Sequence, residues 1–193
     1  MTATDTAHCT GPLRIDAIPL AGGGLIGLTN CPGRNGTDSA GRVWQRTLAD
    51  DLGALERWGA SLLVTLIERK EFATLGVPDF PAQAEARNLD WRHIPVPDMG
   101  VPDLASAQDW HTLKPRIVAI LRDGGRVAFH CAAGLGRTGS MVARLLVEAF
   151  DLEPDEAIRL VRSHRPGAIE SDAQVAFVRA ARDGASDMSR TPP

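Results

Sequence analysis

A cysteine, an arginine and the glycines between them carry the most pointed chemistry in this chain of 193 residues. They lie in Val127-Ala-Phe-His-Cys-Ala-Ala-Gly-Leu-Gly-Arg-Thr-Gly-Ser140. The apolar run from Val127 to Phe129 predicts a buried strand, and residues 140–150 place their apolar side chains at helical spacing. A glycine-bearing loop between strand and helix turns successive N–H groups, and the positive end of the helix dipole, toward an anion. Cys131 at the base of that site would have its thiolate stabilised and could act as a nucleophile at neutral pH. Arg137 can curl back over the loop and grip two phosphate oxygens with its planar fork. Ala132, Ala133, Gly134, Leu135 and Gly136 would supply the phosphate-binding backbone, with Gly134 and Gly136 letting it approach closely. The competing reading is a core thiol on an ordinary strand–helix turn. It has to accommodate a pattern of five fixed residue types whose chance rate is on the order of one in ten million per position.

Holding such a loop takes a sheet. Residues 13–20 and 25–29 read as short strands, paired as a hairpin, with a loop over 30–39. Leu48, Leu52, Leu55 and Trp58 mark one face of a helix that stops near Gly59. Residues 61–67 form a continuous apolar strand of the kind buried in a parallel sheet. Short helices are expected over 72–75 and 81–88, a strand over 90–95, and a helix over 105–121 with a kink or break near Lys114, ahead of Pro115. Two more helices follow over 154–163 and 171–182. Alternating strands and helices imply a single α/β domain over 12–183, with a mostly parallel sheet covered by helices on both faces. Residues 1–11 and 184–193 are expected to be flexible tails. Ligands in such sheets bind beyond the carboxyl ends of strands, where Cys131 falls.

His130-Cys131-x-x-Gly134-x-x-Arg137-Thr138 resembles the phosphate-binding loop of the cysteine-dependent tyrosine and dual-specificity phosphatases. The resemblance spans residues 25–182 and is nearest to the kinase-associated phosphatase subgroup. It implies a dual-specificity phosphatase-like fold that hydrolyses phosphoprotein through a cysteinyl-phosphate, without metal or other cofactor. Such a reaction needs a carboxylic acid on a closing loop to protonate the leaving oxygen. The segment Ile94-Pro-Val-Pro-Asp98-Met-Gly-Val-Pro-Asp103 is similar to the subgroup's acid loop. On that match Asp98 is the general acid, and Asp103 is the N-cap of the next helix. Gln174, in Gly167-Ala-Ile-Glu-Ser-Asp-Ala-Gln174, matches the family's water-orienting glutamine; without the resemblance it would be a surface residue. The Thr138 hydroxyl could bond the sulfur, cap the following helix, or do both. His130 would orient the loop by hydrogen bonding, or be purely structural. One departure is Cys31-Pro32, where the subgroup carries an apolar residue before its Pro-Gly.

A net charge of −3 offers no basic field for nucleic acid or an anionic membrane. No apolar run is long enough to span a bilayer, and the N-terminus lacks a basic segment followed by an apolar one. The three cysteines, at 9, 31 and 131, have no metal-ligand spacing and suit a reducing compartment, the cytoplasm. Cys9 and Cys31 read as incidental, the sharper alternative being a protective disulfide with Cys131. Ala132, Ala133 and Leu135 stand where phosphoinositide phosphatases of the superfamily tend to carry lysines, which favours a monophosphate on protein. The acidic net charge disfavours a highly anionic substrate, which a local basic patch of Arg34, Arg42 and Arg46 could override. The chain is expected to be a monomer. Two readings compete: a phosphate-binding module without turnover, and a rhodanese-like sulfurtransferase with a persulfide on Cys131.

Overall fold

In the computed structural model, residues 8–87 and 89–182 are described. Strands β1 (His8–Cys9), β2 (Asp16–Pro19), β3 (Leu25–Thr29), β4 (Asn35–Thr37) and β5 (Val43–Gln45) come first, then α1 (Leu48–Trp58) and β6 (Leu62–Thr65). Two short helices, α2 (Glu71–Thr74) and α3 (Phe80–Glu85), lead to β7 (Asp90–His93) and the long α4 (Leu104–Arg122). The chain then passes through β8 (Arg126–His130), α5 (Gly136–Phe150), α6 (Pro154–His164) and α7 (Asp172–Arg179).

The main sheet has the order β2-β3-β8-β6-β7, with only β2 antiparallel to its neighbour. Continuous apolar sequence decides its centre. Every residue of β6 is buried, as is β8 from Val127 onward. Successive strand residues face opposite sides. Accordingly Phe129 packs on Trp110 of α4 with ring centroids 6.4 Å apart, while His130 packs on Phe80 of α3 at 5.2 Å. Helices therefore cover both faces. The carboxyl ends of β3, β8, β6 and β7 share one edge, and the segments that leave them build the site.

Several sequence expectations are met closely. Residues 25–29 form β3, and α1 ends at Gly59, which adopts φ 81° as its C-cap. Others need correction. The strand expected over 13–20 shrinks to Asp16–Pro19. Helix α4 passes through Pro115 as one element rather than breaking near Lys114; proline removes one backbone donor there without ending the helix. The loop expected over 30–39 contains β4, which joins β1 and β5 in a small sheet of order β1-β5-β4. Its strands have two or three residues and mostly polar side chains, so no alternation announced them. Of the expected tails, residues 1–7 and 184–193 lie outside the described residues, and His8–Cys9 pairs with Val43–Trp44. No helix among the described residues is long and apolar enough to cross a membrane.

Candidate active site

The loop from Cys131 to Leu135 joins β8 to α5. Each of its carbonyls is tied from outside. His130 Nδ1 lies 3.2 Å from the Cys131 carbonyl. The Ala132 carbonyl accepts from the Cys31 N–H and from Arg34 Nη1, both at 3.1 Å. Arg165 donates from Nη2 to Ala133 at 2.8 Å and from Nε to Gly134 at 3.2 Å. The Leu135 carbonyl takes the N–H of Gly139 at 2.8 Å and of Ile169 at 3.4 Å. With the carbonyls held outward, the N–H groups of Ala132 to Leu135 face the concave side. That is the geometry of an anion nest at a helix N-terminus. Gly134 makes it possible, with φ 72° and a backbone so close to β3 that a Cβ would sit 2.2 Å from the Thr29 carbonyl oxygen.

Cys131 lies at the base of the nest, 3% exposed, and Arg137 enters the same cavity from the first turn of α5. Glu71 of α2 holds the Arg137 guanidinium by two bonds, to Nη1 at 2.5 Å and Nη2 at 2.9 Å. Burial alone would weaken that guanidinium's hold on its proton, but Glu71, Cys131 and Asp98 more than offset it. Asp98 sits at the tip of the loop after β7, exposed, with Oδ1 3.0 Å from Arg137 Nη2. That loop is strapped from three sides. Ser106 Oγ of α4 donates to the Pro95 carbonyl, Ser171 Oγ donates to Met99 at 2.9 Å, and Gln174 Nε2 donates to Gly100 at 3.3 Å.

His130 is fully buried, and desolvation pushes its pKa down to about 3, so the imidazole is neutral. Its Nε2 is 2.7 Å from Thr65 Oγ1, which also accepts from Trp91 Nε1 at 2.8 Å. One tautomer satisfies all partners: Thr65 donates to Nε2, and Nδ1–H donates to the Cys131 carbonyl. His130 thus ties the first carbonyl of the loop to β6 through a neutral, buried ring. Thr138 is not the N-cap, since α5 starts at Gly136 with Leu135 as its cap. Its hydroxyl is fully buried and has no hydrogen-bond partner. Gln174 lies beside the loop, its amide 2.8 Å from where a Gly136 Cβ would be, but both amide ends are bonded to backbone. Oε1 accepts from the N–H groups of Glu170 at 2.9 Å and Ser171 at 3.3 Å, closing a capping box on α7. Asp103 caps α4, accepting from the Ser106 N–H at 2.9 Å. Cys9, Cys31 and Cys131 are all free thiols, and burial drives the Cys31 thiol far toward its protonated form.

A protein-family model described as "Tc-R-P: Polymorphic toxin system, DSP-PTPase phosphatase" matches residues 39–150, more than half of the chain. The chain belongs to this phosphatase family. Among curated relatives of this phosphatase, cyclin-dependent kinase inhibitor 3 of Mus musculus is 26% identical over 176 residues, covering 89% of this chain and 80% of the relative. Protein tyrosine phosphatase domain-containing protein 1 of Bos taurus is 37% identical over 92 residues, 48% of this chain but only 10% of that much longer protein. A kinase-associated phosphatase, solved with its catalytic-site cysteine replaced by serine, superposes with a TM-score of 0.77 at 23% identity and covers 91% of this chain and 97% of its own. A mouse putative dual-specificity phosphatase complexed with zinc tungstate gives 0.61 at 20%, covering 97% of both chains. Those two likenesses establish the fold. The chain is a phosphatase of the tyrosine and dual-specificity class.

Three residues of the phosphatase site were missed in the sequence. Glu71 stands in the charged run Glu68-Arg69-Lys70-Glu71, which reads as a solvated face. Arg165 opens a turn and gives no local hint that its fork reaches back to the loop. Glu170 follows Ile169 at the cavity wall, where Oε2 accepts the Gly136 N–H at 2.8 Å. An unpaired arginine in a phosphate loop calls for a carboxylate partner, which is the one signal that could have found Glu71.

Proposed function

We propose that this phosphatase hydrolyses phosphomonoesters on protein through a covalent intermediate on Cys131. The observation that supports it most is the convergence of Cys131, Arg137 and Asp98 on one cavity whose floor is the outward-tied loop. In the proposed reaction the phosphoryl oxygens take the N–H groups of Ala132 to Leu135 and the Arg137 fork, displacing Asp98 from Nη2. The Cys131 thiolate attacks phosphorus, the ester P–O bond breaks, and Asp98 gives its proton to the leaving oxygen. The Asp98 carboxylate then takes a proton from water, whose oxygen attacks phosphorus. The S–P bond breaks, inorganic phosphate leaves, and the thiolate returns. The partnerless Thr138 hydroxyl is the donor assigned to the departing sulfur. Gln174 serves by strapping the acid loop to α7, its amide being bound at both ends.

Phosphotyrosine or phosphoserine/threonine on protein is the proposed substrate, supported by the small, uncharged Ala132, Ala133 and Leu135 and by the protein phosphatases among the relatives. A monomer in a reducing compartment, the cytoplasm, fits a nucleophilic thiol among three free cysteines. The test is hydrolysis of p-nitrophenyl phosphate with chelator and reductant present, by wild type and Cys131→Ser. Metal-independent turnover that the serine variant loses is the expected result. Turnover that persists in the variant overturns the covalent mechanism, and a folded but inactive wild type overturns the enzyme reading.

A further inference from the structure

The cavity over Cys131, about 310 Å³, is lined by two charged clusters. One holds Asp98 and Glu170, their carboxylates already bonded to Arg137 and to the Gly136 N–H. The other, the arginine wall, holds Arg34 and Arg42, carried by the β3–β4 connection and the start of β5, with Asp38 between them. Two cations share that single carboxylate. Asp38 accepts from Arg42 Nε at 2.8 Å and from Trp44 Nε1 at 2.9 Å, whereas Arg34 Nη2 lies 3.8 Å away, beyond hydrogen-bond reach. The Trp44 ring holds both guanidinium groups without neutralising them, at 4.4 Å for Arg34 and 5.8 Å for Arg42. Arg34 is the fixed member, its side chain 10% exposed and its Nη1 bonded to the Ala132 carbonyl, one residue from the nucleophile. Arg42 is the solvent-facing member, its side chain 45% exposed. Arg46 is not part of this wall. It turns away to Asp51, at 2.6 and 2.7 Å, and to the Gly11 carbonyl.

We propose that Arg34 and Arg42 form a second anion subsite beside the cysteine loop, which selects phosphopeptides bearing another acidic group within one or two residues of the phosphoresidue. The proposal rests on the phosphatase reading above and adds the substrate's flanking chemistry to it. The shared chemistry is a negative charge, supplied by an Asp or Glu carboxylate or by a second phosphate. An anion arriving on the loop with a like group beside it is disfavoured next to the Glu170 carboxylate and drawn to the arginine wall. The subsite therefore fixes the direction in which the peptide lies as well as its composition. Partial solvation of Arg42 makes the preference dependent on salt.

The experiment compares kcat/KM for one phosphopeptide, in phosphotyrosine and phosphothreonine forms, with the neighbouring residue Ala, Glu or phosphoserine. Wild type, Arg34→Gln and Arg42→Glu are measured at low and high salt, with p-nitrophenyl phosphate as the gauge of chemistry alone. Wild type is expected to favour the acidic neighbours by about tenfold at low salt. In both variants the ratio of acidic to Ala peptides should fall to one or below. The larger of the two wild-type preferences names the source of the charge, carboxylate or phosphate. Equal rates on all three peptides by a wild type that hydrolyses p-nitrophenyl phosphate overturn the subsite while leaving the phosphatase standing. A preference that survives Arg42→Glu, in protein that still hydrolyses p-nitrophenyl phosphate, overturns it whatever Arg34→Gln does.

Discussion

Arg165→Met tests whether the phosphate loop is held from outside. The substitution keeps an apolar stem of similar length and removes three donors, on Ala133 at 2.8 Å, Gly134 at 3.2 Å and Asp16 at 2.7 Å. Asp16 keeps Arg14 at 2.7 Å, so the penalty concentrates on the two carbonyls. Arg165 is only 9% exposed, which leaves water little access to replace the lost bonds. Each buried carbonyl without a donor costs about 1–3 kcal/mol, so the variant should lose about 3 kcal/mol of stability. That is a large fraction of the roughly 5–15 kcal/mol that holds an ordinary domain together. The same two peptide planes present N–H groups to the substrate. If they tilt and the reacting atoms shift by an ångström, kcat/KM should fall by about a hundredfold even well below the melting temperature. Urea unfolding gives the first quantity and p-nitrophenyl phosphate kinetics the second, with Arg165→Lys expected to fall between. A stability loss below about 1 kcal/mol with unchanged kcat/KM would refute the reasoning.

Asp98→Ala should slow hydrolysis of a phenyl or alkyl phosphate far more than that of p-nitrophenyl phosphate, whose leaving group needs little protonation; equal losses would remove Asp98 as the acid. Gly134→Ala forces φ 72° on a Cβ 2.2 Å from the Thr29 oxygen, so at least about 2 kcal/mol of stability and most activity should go; a neutral outcome in thermal melts counts against the close approach. His130 has a folded pKa of about 3 against an ordinary 6.5, so between those values the unfolded chain binds the extra proton. Stability is then full above pH 6.5 and declines as pH falls, by up to about 1.4 kcal/mol per unit, and melts that stay flat from pH 7 to 5 would contradict it. Glu71→Gln should cost activity through misplacement of Arg137, seen as a loss in kcat/KM with little change in the melt; full activity would release Glu71 from that role.

What the sequence disclosed was whatever is local. Cys131, Gly134 and Arg137 are legible because strand, loop and helix are continuous in the chain and the chemistry fixes their spacing. Asp98 was singled out by its segment's resemblance to an acid loop that follows a strand, and it lies 3.0 Å from Arg137 in the same cavity. The partners of these residues come from elsewhere in the chain. Glu71 is 66 positions from Arg137, and Arg165 is 31 and 32 from the carbonyls it holds, so no window on the sequence contains both ends. The small sheet of β1, β5 and β4 was hidden for another reason. Its strands are too short and polar to alternate, and they persist because Trp44 gathers Arg34, Arg42 and Asp38 around its ring.

The five outward-tied carbonyls take their donors from segments scattered through the fold: Cys31 and Arg34 after β3, His130 on β8, Gly139 on α5, Arg165 after α6 and Ile169 before α7. The nest therefore exists only while these segments are docked together, and a chain with α6 and α7 detached has no anion site to offer. Thermodynamic linkage turns this around. An oxyanion that binds only the assembled form, such as phosphate or vanadate, raises the unfolding free energy of the whole domain by about 2.7 kcal/mol at a hundred times its Kd. Amides of the 165–169 segment, far along the chain from Cys131, should then slow their hydrogen exchange along with those of the loop. Occupancy of the nest and integrity of the fold become one equilibrium, read equally well from either side.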